Sequence, residues 1–298
     1  MPEKVISTID SRPDLAVATP PDLHTDSVTI PVKLCNLPPL NSIANQVLSM
    51  SADEDVDLQR LASIVEADPA FAAEVLLLAN SSLFGFPSRM HVLRHAVAVL
   101  GLDRIKAVAV TVAMRAFLSG GGPLVRQIWR HSAACAIIAE EISPIFDISG
   151  DRAYTSAIMH DIGRLGLLKS YPREMTPPLS AEYADPTAVL VAERAAINVD
   201  HGTAGAWLVK TWAFPPTFVE ICEHHHDPLH PHDSALLQVI KLSCRMADSL
   251  GFSAVRYKTS ASYRDLLPAR ETHAKPEEFP SEENLRANVE TRLAVFEQ

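Results

Sequence analysis

From Leu37 onward, segment after segment of this chain repeats its apolar residues at three- and four-residue intervals, the spacing that lines one face of an α-helix. No block alternates Val, Ile and Thr for long enough to demand a sheet. The fold class that follows is all-α, a multi-helix bundle. Leu40, Ile43, Ala44, Val47 and Leu48 make one stripe behind Pro39, and Leu61, Ile64 and Val65 make the next behind Asp57. Asp68-Pro69 reads as a helix start: the carboxylate accepts from free first-turn amides, and proline has no amide to leave unpaired. The run from there to Asn80 is apolar nearly all round and predicts a central helix. The turn Asn80-Ser81-Ser82 leads into Phe84-Gly85-Phe86-Pro87, whose aromatic rings are expected to pack back onto the body.

A helix from about Leu93 is expected to end near Gly101, and Asp103 starts another that reaches Leu118. Gly120-Gly121-Gly122-Pro123 is then the strongest break in the chain. It has no Lys-Ser/Thr after it and no strand before it, so it reads as a hinge or boundary and not as a phosphate loop. Beyond it helices are expected at about 124–141, 150–163, 185–199, 201–213, 216–226 and 233–251, with Pro177-Pro178 and Pro215-Pro216 as joints. The organisation expected is a polar arm over 1–30 and a helical body over 31–250. That body divides into lobes 31–119 and 123–250, and an extension over 251–298 is partly helical, from about Ser281 to Phe296.

With 36 acidic against 26 basic residues the formal charge is −10, the wrong sign for a general binder of nucleic acid or anionic membrane. Cys35, Cys135, Cys222 and Cys244 form no CxxC pair and read as buried or idle thiols of a reducing compartment. The first fifteen residues show no apolar signal region. The most apolar run, around 105–118, is broken by Lys106 and Arg115, so no membrane span is expected. The location expected is cytoplasmic.

Twelve histidines are where chemistry can reside. A lone helical histidine is usually a structural hydrogen-bonding group, and His24, His91, His95, His230, His232 and His273 are read that way. The remainder are placed more suggestively. His131 lies in the first helix after the glycine break, and His160-Asp161 follows Ala157-Ile158-Met159 and precedes Gly163. His201 opens a helix, His224-His225-His226 closes another, and Asp248 lies between Leu242 and Leu250. Imidazole and carboxylate are ligands that Fe, Mn and Zn accept, and helices of a bundle can bring such groups together from distant positions. Spacing alone matches no short zinc motif.

The ordered series His131, His160-Asp161, His201, His225-His226 and Asp248 resembles the ligand set of the HD superfamily of metal-dependent phosphohydrolases. The match extends to Leu37-Pro38-Pro39-Leu40, Asp68-Pro69, Leu78-Ala79-Asn80-Ser81, Phe84-Gly85 and Ala96-Val97-Ala98-Val99-Leu100-Gly101. Trp129-Arg130-His131-Ser132, His160-Asp161-Ile162-Gly163 and His225-His226-Asp227-Pro228 continue it. Together these resemble the HDOD domain family over roughly residues 31 to 250. The resemblance implies one metal on His131, His160, Asp161 and Asp248. It implies a second on Asp161 as bridge with His201 and His225, and His226 as a further ligand. One or two Fe or Mn ions are expected, with Zn or Ni possible. Asp161 and Arg164 are the catalytic candidates.

Two features depart from the related HD-GYP enzymes that hydrolyse cyclic di-GMP. Arg164 stands where a lysine usually follows HDxG, and Asp227-Pro228-Leu229 stands where the GYP element should be. Both point away from that substrate. Two functions remain open. One is a regulatory module of bacterial signal transduction, partnered by signalling proteins or a small phosphorylated or nucleotide ligand. The other is a metal-dependent phosphohydrolase with a dinuclear His/Asp site. Direct nucleic-acid binding is not expected, because no recognition motif or basic helix is present.

Overall fold

The computed structural model describes residues 30–50, 58–81, 89–259, 261–267 and 278–294. Residues 1–29 of the expected arm, with His24, and also His273 and the Phe84-Gly85-Phe86-Pro87 turn lie outside the described residues. Everything described is helix and connection except one short pair of strands.

The first stretch holds α1 (Val32–Cys35), α2 (Ser42–Ser49), α3 (Leu58–Glu66), α4 (Pro69–Ala79) and α5 (Leu93–Leu118). Asp68 caps α4 as expected: its carboxylate accepts from the amides of Ala70 and Phe71, with Pro69 in the first turn. Gly101 adopts φ 72° inside α5, a conformation open chiefly to glycine, so α5 is two helical pieces joined at a kink. Its second piece buries Ile105, Val108, Val112 and Met114.

After Gly120-Gly121-Gly122 come α6 (Pro123–Ile142), α7 (Gly150–Met159), α8 (Ile162–Ser170) and α9 (Pro172–Ser180). These are followed by α10 (Pro186–Ile197), α11 (His201–Thr211), α12 (Pro216–His224) and α13 (Ala235–Ser249). The short α14 (Tyr263–Leu266) precedes α15 (Glu282–Leu293), which lays Leu285, Val289 and Leu293 against the body. Strand β1 (Glu182–Tyr183) pairs in parallel with β2 (Arg256–Tyr257) and ties the end of α9 to the chain after α13.

Two local expectations are corrected. Pro177 and Pro178 are not a joint but lie inside α9. They remove backbone donors only from the last turn of a nine-residue helix, which Met175, Pro178 and Leu179 hold down by burial. The helix expected over 150–163 is interrupted after Met159 and restarts at Ile162. His160 and Asp161 therefore occupy a corner between two helices.

That corner is held by close backbone packing. A Cβ added at Gly163 would lie 2.0 Å from the carbonyl oxygen of His201 and 2.4 Å from the amide nitrogen of Gly205. Only glycine at 163 lets α8 lie directly on α11, which sets His201 opposite Asp161.

Candidate metal centre

Five helices deliver side chains to one buried point. His131 comes from α6, His160 and Asp161 from the corner between α7 and α8, and Arg164 from α8. His201 is the first residue of α11, and His225 and His226 follow α12. Asp161 occupies the capping position of α8, yet its carboxylate makes no capping hydrogen bond. Asp200 at the start of α11 does cap, accepting from the Thr203 amide at 2.8 Å. The Asp161 carboxylate faces the histidines instead.

Four imidazoles are oriented by the same device. A carbonyl or carboxylate oxygen near a ring nitrogen can only accept, so that nitrogen must carry the proton. His131 Nδ1 donates to Phe252 O at 2.8 Å, His160 Nδ1 to Ala157 O at 2.6 Å and His225 Nδ1 to Cys222 O at 3.0 Å. His201 Nδ1 donates to the Glu193 carboxylate at 2.6 Å. In the neutral form of each ring the basic lone pair is therefore on Nε2. For His131, against burial, Cys244, Asp248 and Asp161 lift the ring to about 9, so a cation there displaces a proton. The four Nε2 atoms gather around Asp161: His201 and His225 at 3.4 and 3.5 Å from Oδ1, His160 and His131 at 3.8 and 4.0 Å from Oδ2. His201 Nε2 and His225 Nε2 face each other at 3.3 Å, lone pair toward lone pair. His160 Nε2 and Asp161 Oδ1 are buried without any hydrogen-bond partner. Converging lone pairs and orphaned acceptors are what a cation site requires, and the fixed Nδ1 partners are the usual support of histidine ligands. The residues present fit a metal.

The possible ligand atoms fall into two groups, each mutually close within 4.8 Å. One is His131, Cys135, His160 and Cys244, and the other is Asp161, His201, His225 and His226. Arg164 lies against the second group. Its guanidinium donates to Asp161 Oδ2 at 2.8 Å and approaches His201 Nε2 at 3.0 Å and His226 Nε2 at 3.3 Å. Glu193 Oε1 lies 3.5 Å from the Arg164 Nε.

Charge balance shifts the titrations accordingly. Burial opposes ionisation of Asp161, but Arg164 and His160 outweigh it and hold the carboxyl well below the usual range. Glu193 is also held low against burial, by His201 and Arg164. Burial and the adjacent Arg164 charge lower His201, while burial and His225 lower His226, keeping both rings neutral and basic at Nε2. Burial lifts Asp248 to about 7, reinforced by Cys244.

The structure brings together His131, His160, Asp161, Arg164, His201, His225 and His226. Asp248 stands at the edge of the centre: its Oδ1 is 3.7 Å from His131 Nδ1, the protonated side of that ring. His91, His95, His230 and His232 are exposed. Cys135, Cys222 and Cys244 are buried, and two of them lie at the centre. Cys135 Sγ and Cys244 Sγ lie 3.5 and 3.6 Å from His131 Nε2. The spacing offered a signal, since Cys135 is one turn beyond His131 and Cys244 one turn before Asp248. Glu193, the orienting partner of His201, left no such signal in a helix expected only from its apolar face.

The model of the HDOD domain family matches residues 37–228, more than half of the chain. A protein of Treponema pallidum (strain Nichols), described only as uncharacterized, is 23% identical over 211 residues. The match takes in 68% of this chain, which spans 40% of that relative's length. Among solved structures, an HDOD domain protein of unknown function from Geobacter sulfurreducens is similar with TM-score 0.68 and 22% identity, over 87% of this chain and 90% of its own. A protein from Marinobacter aquaeolei VT8, proposed to act in signal transduction, reaches 0.62 at 18% identity, over 88% and 60%. A proposed metal-dependent phosphohydrolase from Shewanella amazonensis SB2B reaches 0.61 at 21%, over 88% and 95%. Identities this low establish a shared fold and leave activities to those proteins. The family match spans both sides of the glycine break and includes the His160-Asp161 corner with its supporting Gly163, and on that basis the chain belongs to the HDOD domain family.

Proposed function

We propose that this HDOD protein is a regulatory module of bacterial signalling in which a divalent metal, bound among the histidines, braces the helices around it. The observation that carries this reading is closure. His131, His160, Asp161, Arg164, His201 and His225 are each at most 2% exposed. A hydrolase needs an open coordination position and a route for a charged substrate. Here the Arg164 guanidinium fills the space beside Asp161, and the chain after α13 covers His131 through the Phe252 carbonyl.

The residues that would hold the metal are His131, His160, Asp161, His201, His225 and His226, with Asp248 at the margin. Iron or manganese suits the imidazole and carboxylate donors, and zinc or nickel also binds such groups. A bound cation would supply positive charge and Lewis acidity. The chain's own part is to fix four Nε2 lone pairs and to keep the Asp161 carboxylate ionised. Signalling proteins or a small phosphorylated ligand are the proposed partners, with the helices before Gly120 as available surface.

A second reading has one observation in its favour. Asp161 lies within 4.0 Å of histidines from both ligand groups, the placement a bridging carboxylate needs in a dinuclear phosphohydrolase. One experiment separates the two. Protein purified without chelator is tested for bound metal, for melting temperature before and after chelation, and for turnover of a phosphoester panel. The module is expected to lose melting temperature on chelation and to show no turnover above a metal-free control. Metal-dependent turnover that falls with Asp161→Asn would establish the hydrolase instead.

A further inference from the structure

The two ligand groups differ in chemistry, and the difference extends the reading of this pocket as a metal centre, on which the inference rests. We propose that His131, Cys135, His160 and Cys244 form a closed tetrahedral site for a thiophilic divalent ion of the zinc type, with both cysteines bound as thiolates.

Geometry supports it at each donor. Bonds of about 2.0–2.1 Å to nitrogen and about 2.3 Å to sulfur put the N···S edges of a tetrahedron at about 3.5 Å. The two edges from His131 Nε2 are 3.5 Å to Cys135 Sγ and 3.6 Å to Cys244 Sγ. His160 brings the fourth donor, an Nε2 that is wholly buried and has no hydrogen-bond partner, while its Nδ1 is tied to Ala157 O. All four donor atoms lie within 4.8 Å of one another. The His131 and His160 rings meet edge to face, with centroids 5.3 Å apart, so their lone pairs converge without the rings stacking.

The donors come from three places in the fold. Cys135 sits one turn after His131 on α6, His160 sits at the α7–α8 corner, and Cys244 lies on α13. An ion here would clamp the three together. Cys244 takes the position nearest His131 that the family resemblance would give to Asp248, whose carboxylate reaches only the protonated side of that ring. Two sulfurs and two imidazoles make a softer donor set than carboxylate and imidazole, which favours zinc over manganese or magnesium. All four side chains are at most 2% exposed, as in a structural zinc site with no open position. The neighbouring group has a cation already, since Arg164 contacts Asp161, His201 and His226. The first site therefore does not need Asp161 as a bridge.

The test is cobalt replacement during expression of the full chain in zinc-depleted medium, read by elemental analysis and absorption. A thiolate-bound tetrahedral cobalt gives sulfur-to-metal charge transfer in the near ultraviolet and intense visible d–d bands. Wild type, Cys35→Ser and Cys222→Ser are expected to show both. Cys135→Ser and Cys244→Ser should each lose most of the charge-transfer intensity. Asp161→Asn should keep it. The wild-type spectrum decides the matter even if a buried-cysteine variant does not fold. Cobalt bound with pale six-coordinate bands and no charge transfer would overturn the thiolate site while leaving a metal centre in place. Charge transfer abolished by Asp161→Asn in folded protein would overturn the independence of the two groups. Protein that binds neither cobalt nor zinc would remove the metal-centre reading and this proposal together.

Discussion

Residues 30–118 and residues 123–257 are both helical with apolar cores, but only the second also buries a cluster of charged and imidazole side chains. Among the described residues of the first stretch the core is almost wholly apolar: Leu34, Val47, Leu61, Val65, Val75, Val97, Ile105 and Met114 are all closed from solvent. Thr111 is its buried polar side chain, and that hydroxyl returns to Ala107 O at 2.7 Å. The second stretch buries an apolar core of its own, Ile128, Ile137, Ile158 and Leu208 among it, and adds His131, His160, Asp161, Arg164, Glu193, His201, His225 and Lys241. Apolar burial is additive and non-directional, so one side of the molecule rests on many interchangeable contacts. Buried charges are stable only while each keeps its partner, so the other side adds to its apolar core a few groups that cannot be removed singly.

The comparison breaks most sharply at Asp161. Replacing it with Ala strands the Arg164 guanidinium with Glu193 and orphaned histidines. Removal of one member of such a buried pair costs about 3–5 kcal/mol. The expected result is a large fall in denaturant midpoint for Asp161→Ala, partly recovered in Asp161→Ala combined with Arg164→Met, because the double change removes both charges. Equal destabilisation by the single and double variants would mean that the pair is not what the site depends on.

In the first stretch, Leu61→Ala should remove apolar contacts and leave a cavity, a loss of about 2–5 kcal/mol that varies with how far the site collapses. The two sides are distinguished by metal, not by size of effect. Leu61→Ala should leave bound metal per chain unchanged, and chelation should lower its melting temperature by as much as it lowers wild type. A metal loss caused by Leu61→Ala would show the two stretches to be coupled more tightly than their cores suggest.

These two kinds of core were unequally legible. Helical order was readable because a 3.6-residue apolar period declares itself within a short window, as in α2 and α3. The cap at Asp68 was readable for the same local reason. The histidine set was readable only through the resemblance, since convergence of His131 with His225 depends on how α6 and α12 pack. Cys135 and Cys244 were passed over because CxxC spacing is a loop pattern, whereas these thiols are brought together from two helices. The corner at His160-Asp161 was hidden because apolar residues stand on both sides of it, Ala157-Ile158-Met159 before and Ile162, Leu165, Leu167 and Leu168 after. Glu193 had no readable role, since its bond to His201 depends on the turn between α10 and α11.

A smaller local effect sharpens the first side. Asp68 caps α4 through two amides, and Asp68→Ala should cost about 1 kcal/mol by leaving them to water. Asp68→Asn and the smaller Asp68→Ser should both restore most of it, and recovery by the serine is what a packing role would not allow. Urea midpoints for the three variants give the answer directly.

The smallest expected effect lies where the two stretches meet. Asp151, in the first turn of α7, has Arg104 Nε of α5 at 2.8 Å, and Arg104 also bonds Glu140 of α6 at 2.8 Å. Asp103 adds negative charge from α5, and Arg292 of α15 adds positive charge while itself bonding Glu140. Burial is the largest influence and, against the pull of Arg104, lifts the Asp151 carboxyl to about 6. An unfolded aspartate releases its proton near about pH 4, so between about pH 4 and about pH 6 the folded chain holds more protons than the unfolded one. Stability from this group is therefore greatest below that window and declines as pH rises through it. Solvent screens a partly open carboxylate, so the decline should be about 1 kcal/mol or less. Asp151→Asn cannot ionise and should flatten this part of the profile while leaving the Arg104–Glu140 pair in place. Unfolding free energies of wild type and Asp151→Asn across the window supply the check. Parallel profiles for the two proteins would show that burial at this junction does not hold a proton on Asp151.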